Sequence, residues 1–115
     1  MTAIASIAAT PQPPYYAVIF TSLRTEGDNG YAEMAARMAE MVAQQPGYLG
    51  MESARERVGI TVCYWKDLAS IEAWRTVEEH LLAQKYGHER WYRQFAARIC
   101  KVERAYGLNK GAATT

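Results

Sequence analysis

Apolar and polar positions follow two different periods along the chain, and the points where the period changes divide it into elements. Residues 15–24 (YYAVIFTSLR) are rich in β-branched and aromatic side chains, and the first half of this run is apolar at odd and even positions alike. Strands that are buried on both faces have this pattern. We therefore expect a strand here, followed by a turn over residues 25–30, where glycine, aspartate and asparagine interrupt the run.

A helical period begins at Tyr31 and ends before Pro46 and Gly47. The apolar side chains that share one side of this segment are Tyr31, Met34, Ala35, Met38, Met41 and Val42. Charged and amide side chains fall mostly on the opposite side. The segment is amphipathic, so we expect a helix that covers one face of a sheet.

Two more strands are predicted over residues 48–54 and 58–66, joined by the charged turn 55–57. The second carries Ile60, Val62 and Tyr64 on one face and Thr61, Cys63 and Trp65 on the other. A strand with one face in water does not carry bulky groups on both sides. Both faces of this sheet are therefore expected to be covered.

The second half of the chain returns to a helix and then to a strand. Asp67 is predicted to cap a helix that continues towards Trp91, and the pattern leaves open a break near Thr76. Residues 94–106 have strand character again. We expect a flexible leader over residues 1–14, one domain over residues 15–106 and a flexible tail over residues 107–115.

The predicted order, βαββαβ, is that of an α+β ferredoxin-like fold with an antiparallel sheet. Two helices cover only one face of a four-stranded sheet, and the other face still holds large apolar side chains. An apolar patch of that size is typical of an interface. Two such sheets packed face to face would bury it, so we expect a homodimer that forms an α/β barrel.

Composition and charge exclude several classes of function. A net charge of +1 provides no basic surface for nucleic acid, and the apolar runs are too short to span a membrane. The leader lacks the basic start of a secretion signal, so we expect a cytoplasmic protein. Cys63 and Cys100 are too far apart for a metal-binding pair, and reduced cysteines are favoured over a disulfide. No metal ion or other cofactor is expected.

Four short motifs carry a resemblance to a known family. They are residues 46–50 (PGYLG), 64–68 (YWKDL), 80–84 (HLLAQ) and 87–92 (GHERWY). With them, residues 15–106 resemble the antibiotic biosynthesis monooxygenase superfamily. The resemblance implies a dimeric α/β barrel with a pocket between helices and sheet in each subunit. It also implies that cofactor-free members take a proton from an acidic phenol or quinol and let the anion react directly with oxygen.

Two polar residues are candidates for that chemistry. His80 titrates near neutral pH and could take the phenolic proton, and Gln84, one helical turn later, could stabilise the anion or the oxygen. A surface histidine beside Glu78 and Glu79 is the alternative for His80. The candidate substrate-binding residues are Trp74, Tyr16, Phe20, Ser22, Tyr64 and Trp65. For the aromatic residues among them, a place in the core or at the dimer face is the alternative.

The haem-degrading branch of the superfamily is a less favoured alternative. The resemblance implies that this branch uses an asparagine on the first strand, a tryptophan on the second helix and a histidine as the iron ligand. Trp74 matches the tryptophan, but Gln84 occupies the position of the histidine, and the first strand offers only Thr21 and Ser22. The sequence thus favours a cofactor-independent monooxygenase of a small aromatic or quinol-like molecule, and a non-catalytic dimer that binds such a molecule ranks second.

Overall fold

The chain folds into one sheet with helices in the connections. A computed structural model describes residues 6–83 and 87–109. In chain order the elements are β1 (Tyr15–Arg24), α1 (Tyr31–Val42), β2 (Tyr48–Arg55), β3 (Gly59–Trp65), α2 (Leu68–Ala83), α3 (Gly87–Trp91) and β4 (Tyr92–Val102). Within the described residues, no helix is both long and apolar enough to cross a bilayer.

The four strands lie in the order β2-β3-β1-β4, and every neighbouring pair is antiparallel. With a helix in each crossover, this is the split βαβ arrangement, which confirms the predicted ferredoxin-like α+β fold. The strand boundaries after β1 differ from the prediction by one to four residues, and the predicted second helix is present as α2 and α3. α2 runs without a break through Thr76, and β4 ends at Val102 because the chain beyond it leaves β1, its neighbour in the sheet.

Both long helices pack on the same side of the sheet. The core cluster there consists of Val42 from α1, Trp65 from β3, and Ile71 and Trp74 from α2. The partly buried side chains around it include Tyr16, Val18, Met38, Met41, Tyr48, Met51, Cys63 and Val77. Of the three methionines predicted to form the apolar side of α1, Met38 and Met41 therefore do pack against this core. We call this side of the sheet the helix-facing side.

Polar side chains define where the helices begin. Asp28 accepts hydrogen bonds from the backbone N–H groups of Gly30 and Ala32 at the start of α1. Asp67 accepts one from the N–H of Ser70 at 2.8 Å, which confirms the predicted cap of α2. Hydrogen bonds from the side chain and the backbone N–H of Ser70 lower the pKa of Asp67, since they favour the carboxylate.

Gly47 permits the tight turn between α1 and β2. Its φ of 85° lies in the left-handed region that favours glycine, and a Cβ at this position would overlap the side chain of Ser70. The Gly47 carbonyl accepts a hydrogen bond from the N–H of Lys66 at 2.7 Å. The start of β2 is thereby held against the end of β3 and the first turn of α2.

The opposite side of the sheet meets the segment that precedes β1. The N–H of Ala8 donates to Glu52 at 2.9 Å, and the Tyr64 hydroxyl donates to the other oxygen of the same carboxylate at 2.6 Å. The Thr10 hydroxyl donates to Tyr15, which is only 5% exposed. Residues 8–10 thus lie over one end of this second side, which we call the open side.

Candidate functional site

The helix-facing side of the sheet brings most of the predicted substrate-binding residues together. Side chains alternate along a strand, so Phe20 and Ser22 of β1 point to the same side as Tyr16 and Val18, which pack on the helical core. Of the predicted residues, Tyr16, Phe20, Ser22, Trp65 and Trp74 share this side. Together they extend along the length of β1, from near its start almost to its end.

Trp65 and Trp74 form the closed end of this surface. Trp65 is 1% exposed and Trp74 9%, and the ring of Tyr48 meets Trp65 edge-on with centroids 5.6 Å apart. Side chains packed this tightly leave little surface for a ligand. At this end the two tryptophans act as the wall of the site.

Glu78 and Cys63 lie in the middle of the surface, and neither was predicted as a site residue. Glu78 follows Ile71 and Trp74 at helical spacing, so its side chain extends from the buried side of α2 towards β3. Burial raises the pKa of the Glu78 carboxyl, with a further increase from Glu79 and an opposing decrease from Arg75. Burial and the nearby Glu78 raise the pKa of the Cys63 thiol to about 11.

Four aromatic rings occupy the other end of the helix-facing side. Phe20 stacks on Phe95 with centroids 5.2 Å apart, and Tyr92 meets Phe20 edge-on at 5.4 Å. Tyr31, the first residue of α1, meets Tyr92 edge-on at 5.9 Å. Phe95 remains 39% exposed, so this end of the surface is open to a ligand from the β4 edge.

A guanidinium group borders the aromatic end. The register aligns Arg55 of β2, Gly59 of β3 and Ser22 of β1 in one row across three strands. The Arg55 side chain crosses the middle strand above Gly59, where a Cβ would overlap it, and donates to the Ser22 hydroxyl at 2.5 Å. Ser22 is 3% exposed.

Tyr92 stays protonated beside two arginines. Burial is the main cause of its raised pKa, and the hydroxyl of Tyr31, to which it is hydrogen-bonded, raises it further. Arg55 and Arg24 oppose this shift only in part. At neutral pH the aromatic end therefore offers neutral hydroxyl groups and a positive charge.

The structure does not bring every predicted site residue to this surface. Tyr64 lies on the open side, with its hydroxyl on Glu52 and its ring edge-on to Tyr15 at 5.9 Å. His80 belongs to the last turn of α2, but its side chain, like the whole of Gln84, lies outside the described residues. The two catalytic assignments therefore remain predictions.

Across the part of the chain that is described, no three His, Cys, Asp or Glu side chains are grouped as metal ligands. What the surface combines is an apolar floor, a desolvated carboxyl group and an arginine. Such a combination can hold a flat aromatic molecule, take a proton from it and stabilise the anion that results.

Comparison with known families agrees with this fold. The family model for antibiotic biosynthesis monooxygenases matches residues 14–86, which is more than half of the chain. The chain belongs to the antibiotic biosynthesis monooxygenase family. This confirms the resemblance that the sequence motifs indicated.

One sequence relative and two solved structures show how the chain relates to other members of the fold. It is 49% identical over 100 residues to the uncharacterised protein YqjZ of Bacillus subtilis, a match covering 85% of this chain and 88% of the relative. The structure of SnoaB, a cofactor-independent oxygenase from Streptomyces nogalater, is similar with a TM-score of 0.65 and 13% identity, over 81% of this chain and 97% of SnoaB. The protein PA3566 of Pseudomonas aeruginosa has a TM-score of 0.61 and 17% identity, over 84% and 99% of the two chains. At these identities the two structures establish the shared fold.

In this family member, sequence reasoning missed Glu78, Arg55 and Tyr92. Glu78 was visible as a continuation of the helical spacing of Ile71 and Trp74, but it was considered only with Glu79 as a neighbour of His80. Arg55 was assigned to a charged turn, and only the alignment of Gly59 with it across the hairpin could have indicated its path. The position of Tyr92 opposite Arg24 depends on a shift of register in the β1–β4 pairing between Leu23 and Arg24, and this shift leaves no signal in the sequence.

Proposed function

We propose that this protein is a cofactor-independent monooxygenase that acts on a small phenol, anthrone or quinol bound on the helix-facing side of the sheet. The observation that carries the proposal is the Glu78 carboxyl group, which is desolvated above an apolar and aromatic floor. A carboxyl group with a raised pKa is a stronger base once ionised, so it is suited to accept a phenolic or benzylic proton.

The chemistry that this proposal requires is balanced without an external reductant. The base takes a proton from the substrate, and the electron-rich anion then transfers electrons to oxygen. For an anthrone, the methylene carbon loses two hydrogens and becomes a carbonyl with one oxygen atom. The second oxygen atom leaves as water with those hydrogens. The protein has to bind the ring system, accept one proton and exclude bulk water from the anion.

The described residues divide these tasks between the two ends of the surface. Trp65 and Trp74 close one end, and the stacked rings of Phe20 and Phe95 provide a flat contact surface at the other. Glu78 lies between them as the proton acceptor. His80 and Gln84 keep the roles predicted from the sequence, as a second base and as a group that stabilises the anion.

Oxygen uptake with a panel of anthrones and quinols tests the proposal. We expect consumption above the uncatalysed background, and a decrease in kcat of about 10²-fold or more in Glu78→Gln, the range typical of a general base. Glu79→Gln is the matched control, because Glu79 lies on the exposed side of α2 in an ion pair with Arg75 at 3.5 Å. His80→Ala tests the second predicted base.

Other outcomes would contradict the proposal. If no member of the panel is consumed but several raise the melting temperature, the protein is a binding module. If Glu78→Gln retains full activity while His80→Ala loses it, the histidine is the base and Glu78 is not.

We propose further that two copies of the chain associate through the open side of the sheet. No described helix packs there, and the side carries Ile19, Ile60 and Val62 beyond the part that residues 8–10 cover. Ile60 is 45% exposed in the single chain. Burial of these side chains against a second copy would remove apolar surface from water, which favours association.

A further inference from the structure

We infer that Arg55 is an anion receptor and that the ligand of this site is an aromatic acid, with its carboxylate on the guanidinium and its rings on the floor between Arg55 and Glu78. The inference rests on the proposed function only for the location of the ligand. Its own basis is the way in which the arginine is held.

The path of Arg55 is built into the sheet. The side chain starts on an edge strand, crosses β3 where Gly59 has no side chain, and ends at the Ser22 hydroxyl on the next strand. Any larger residue at position 59 would block this path. The path past Gly59 thus brings the guanidinium of an otherwise exposed residue over the helix-facing side of the sheet.

The Arg55 guanidinium has N–H donors that no described hydrogen bond uses. An arginine carries five N–H donors, and the hydrogen bond to Ser22 uses one of them. Among the described residues, ion pairs form only between Arg75 and its neighbours Glu72 and Glu79. No described carboxylate therefore neutralises Arg55.

Arg24 shows what a structural arginine looks like in the same region. Its Nε donates to the Trp91 carbonyl at 3.0 Å, and one terminal nitrogen donates to the carbonyls of Gly27 and Asp28. Its guanidinium also stacks on Tyr31, 3.6 Å from the ring centroid. Arg24 connects three segments of the chain, whereas the Arg55 side chain has one hydrogen bond among the described residues, to a neutral hydroxyl.

The surroundings of Arg55 suit a carboxylate on an aromatic ring. A planar guanidinium binds a carboxylate through two parallel, charge-assisted hydrogen bonds. The stacked Phe20 and Phe95 lie beside Ser22 and provide a flat aromatic contact surface. Along β3, Cys63 and Gly59 are about 13 Å apart, a span comparable with the length of a two-ring acid.

Calorimetric titration with 2-naphthoate and with the neutral 2-naphthalenemethanol tests the inference. We expect 2-naphthoate to bind the unmodified protein about tenfold more tightly or better, which corresponds to about 1.4 kcal/mol. Arg55→Gln should remove that preference and leave the Kd of the alcohol unchanged. Arg57→Gln, an equal change of charge in the same hairpin turn, should leave both Kd values unchanged.

Three results would overturn the inference: no binding of 2-naphthoate, equal affinity for acid and alcohol, or an equal loss for both ligands in Arg55→Gln. Arg55→Lys separates charge from geometry, since lysine keeps the charge but loses the paired donors. We expect it to restore part of the preference. Oxygen uptake measured in parallel keeps the two proposals distinct, because acid binding without turnover leaves this inference intact and removes the monooxygenase.

Discussion

Glu78 on α2 faces Cys63 on β3, and the charge of the carboxylate adds to burial in raising the pKa of the thiol to about 11. Two acidic groups thus share a desolvated region that cannot hold two negative charges at low cost. The thiol stays protonated at neutral pH and behaves as a small apolar side chain of the floor. The carboxyl group is then the member of this pair that titrates at the lower pH.

Replacing Glu78 with glutamine should stabilise the protein at neutral pH. Because burial raises the pKa of this carboxyl, the folded state binds its proton more tightly than the unfolded state does. The resulting penalty is present above the folded-state pKa, shrinks as the pH falls through it, and is absent below the unfolded-state pKa. Thermal unfolding of Glu78→Gln should therefore show a higher melting temperature at pH 8 and a smaller difference at pH 4.

Glu79→Gln is the control for that experiment, since Glu79 is exposed and pairs with Arg75. Glu78 is surrounded by Cys63 from β3 and by Arg75 and Glu79 from its own helix. An unchanged or lower melting temperature for Glu78→Gln at pH 8 would show that the carboxylate is well solvated or paired in the folded protein.

Replacing Gly59 with alanine should displace Arg55. The new Cβ would overlap the guanidinium, which can swing away into solvent, so the buried Ser22 hydroxyl would lose its partner. Loss of a hydrogen bond to a buried group costs about 1–3 kcal/mol. Urea unfolding of Gly59→Ala should give a decrease in this range.

A double-mutant cycle separates this effect from a general cost at position 59. In the Arg55→Gln background the hydrogen bond to Ser22 is already altered, so Gly59→Ala should destabilise the protein much less than in the unmodified chain. Equal decreases in the two backgrounds would mean that the glycine is needed for another reason.

Replacing Glu52 with glutamine should lower the pKa of Tyr64. Burial comes first among the causes that raise this pKa to about 12, and the hydrogen bond to Glu52 and the charge of Glu52 follow. Removal of the charge leaves the burial, so the pKa should fall but stay above the usual 10 of tyrosine. Absorbance titration of the phenolate, with Tyr64→Phe to identify the signal, measures the change. A Tyr64 titration that is the same with and without Glu52 would contradict the contact.

A charge on the open side should disrupt the proposed dimer. Ile60→Glu places a carboxylate where the two sheets would meet, and its desolvation opposes association. Leu68→Glu is the control, because Leu68 is 52% exposed but lies at the start of α2. Sedimentation equilibrium should give twice 12.9 kDa for the unmodified protein and for Leu68→Glu, and a mass nearer to 12.9 kDa for Ile60→Glu. A single-chain mass for the unmodified protein would remove the dimer.

The order of helices and strands was determined by the sequence alone, because local periodicity records which side of each element is apolar. The two-period pattern of residues 15–24 and 31–42 predicted β1 and α1 closely, and Asp67 identified the start of α2 through its capping geometry. The family could also be identified, since its motifs lie in these same segments. The end of β4 was predicted four residues too late, because strand character persists beyond the point where the pairing with β1 stops.

Only the tertiary structure decided which residues share the site, because alternation along a strand does not reveal which side the helices cover. Tyr64 and Trp65 are neighbours in the sequence, yet Trp65 lies in the helical core and Tyr64 on the open side. The row of Arg55, Gly59 and Ser22 depends on the register of three strands and connects residues 33 positions apart. Glu78 has the helical spacing of a core residue, but only the packing of α2 against Cys63 shows that its carboxyl group is desolvated.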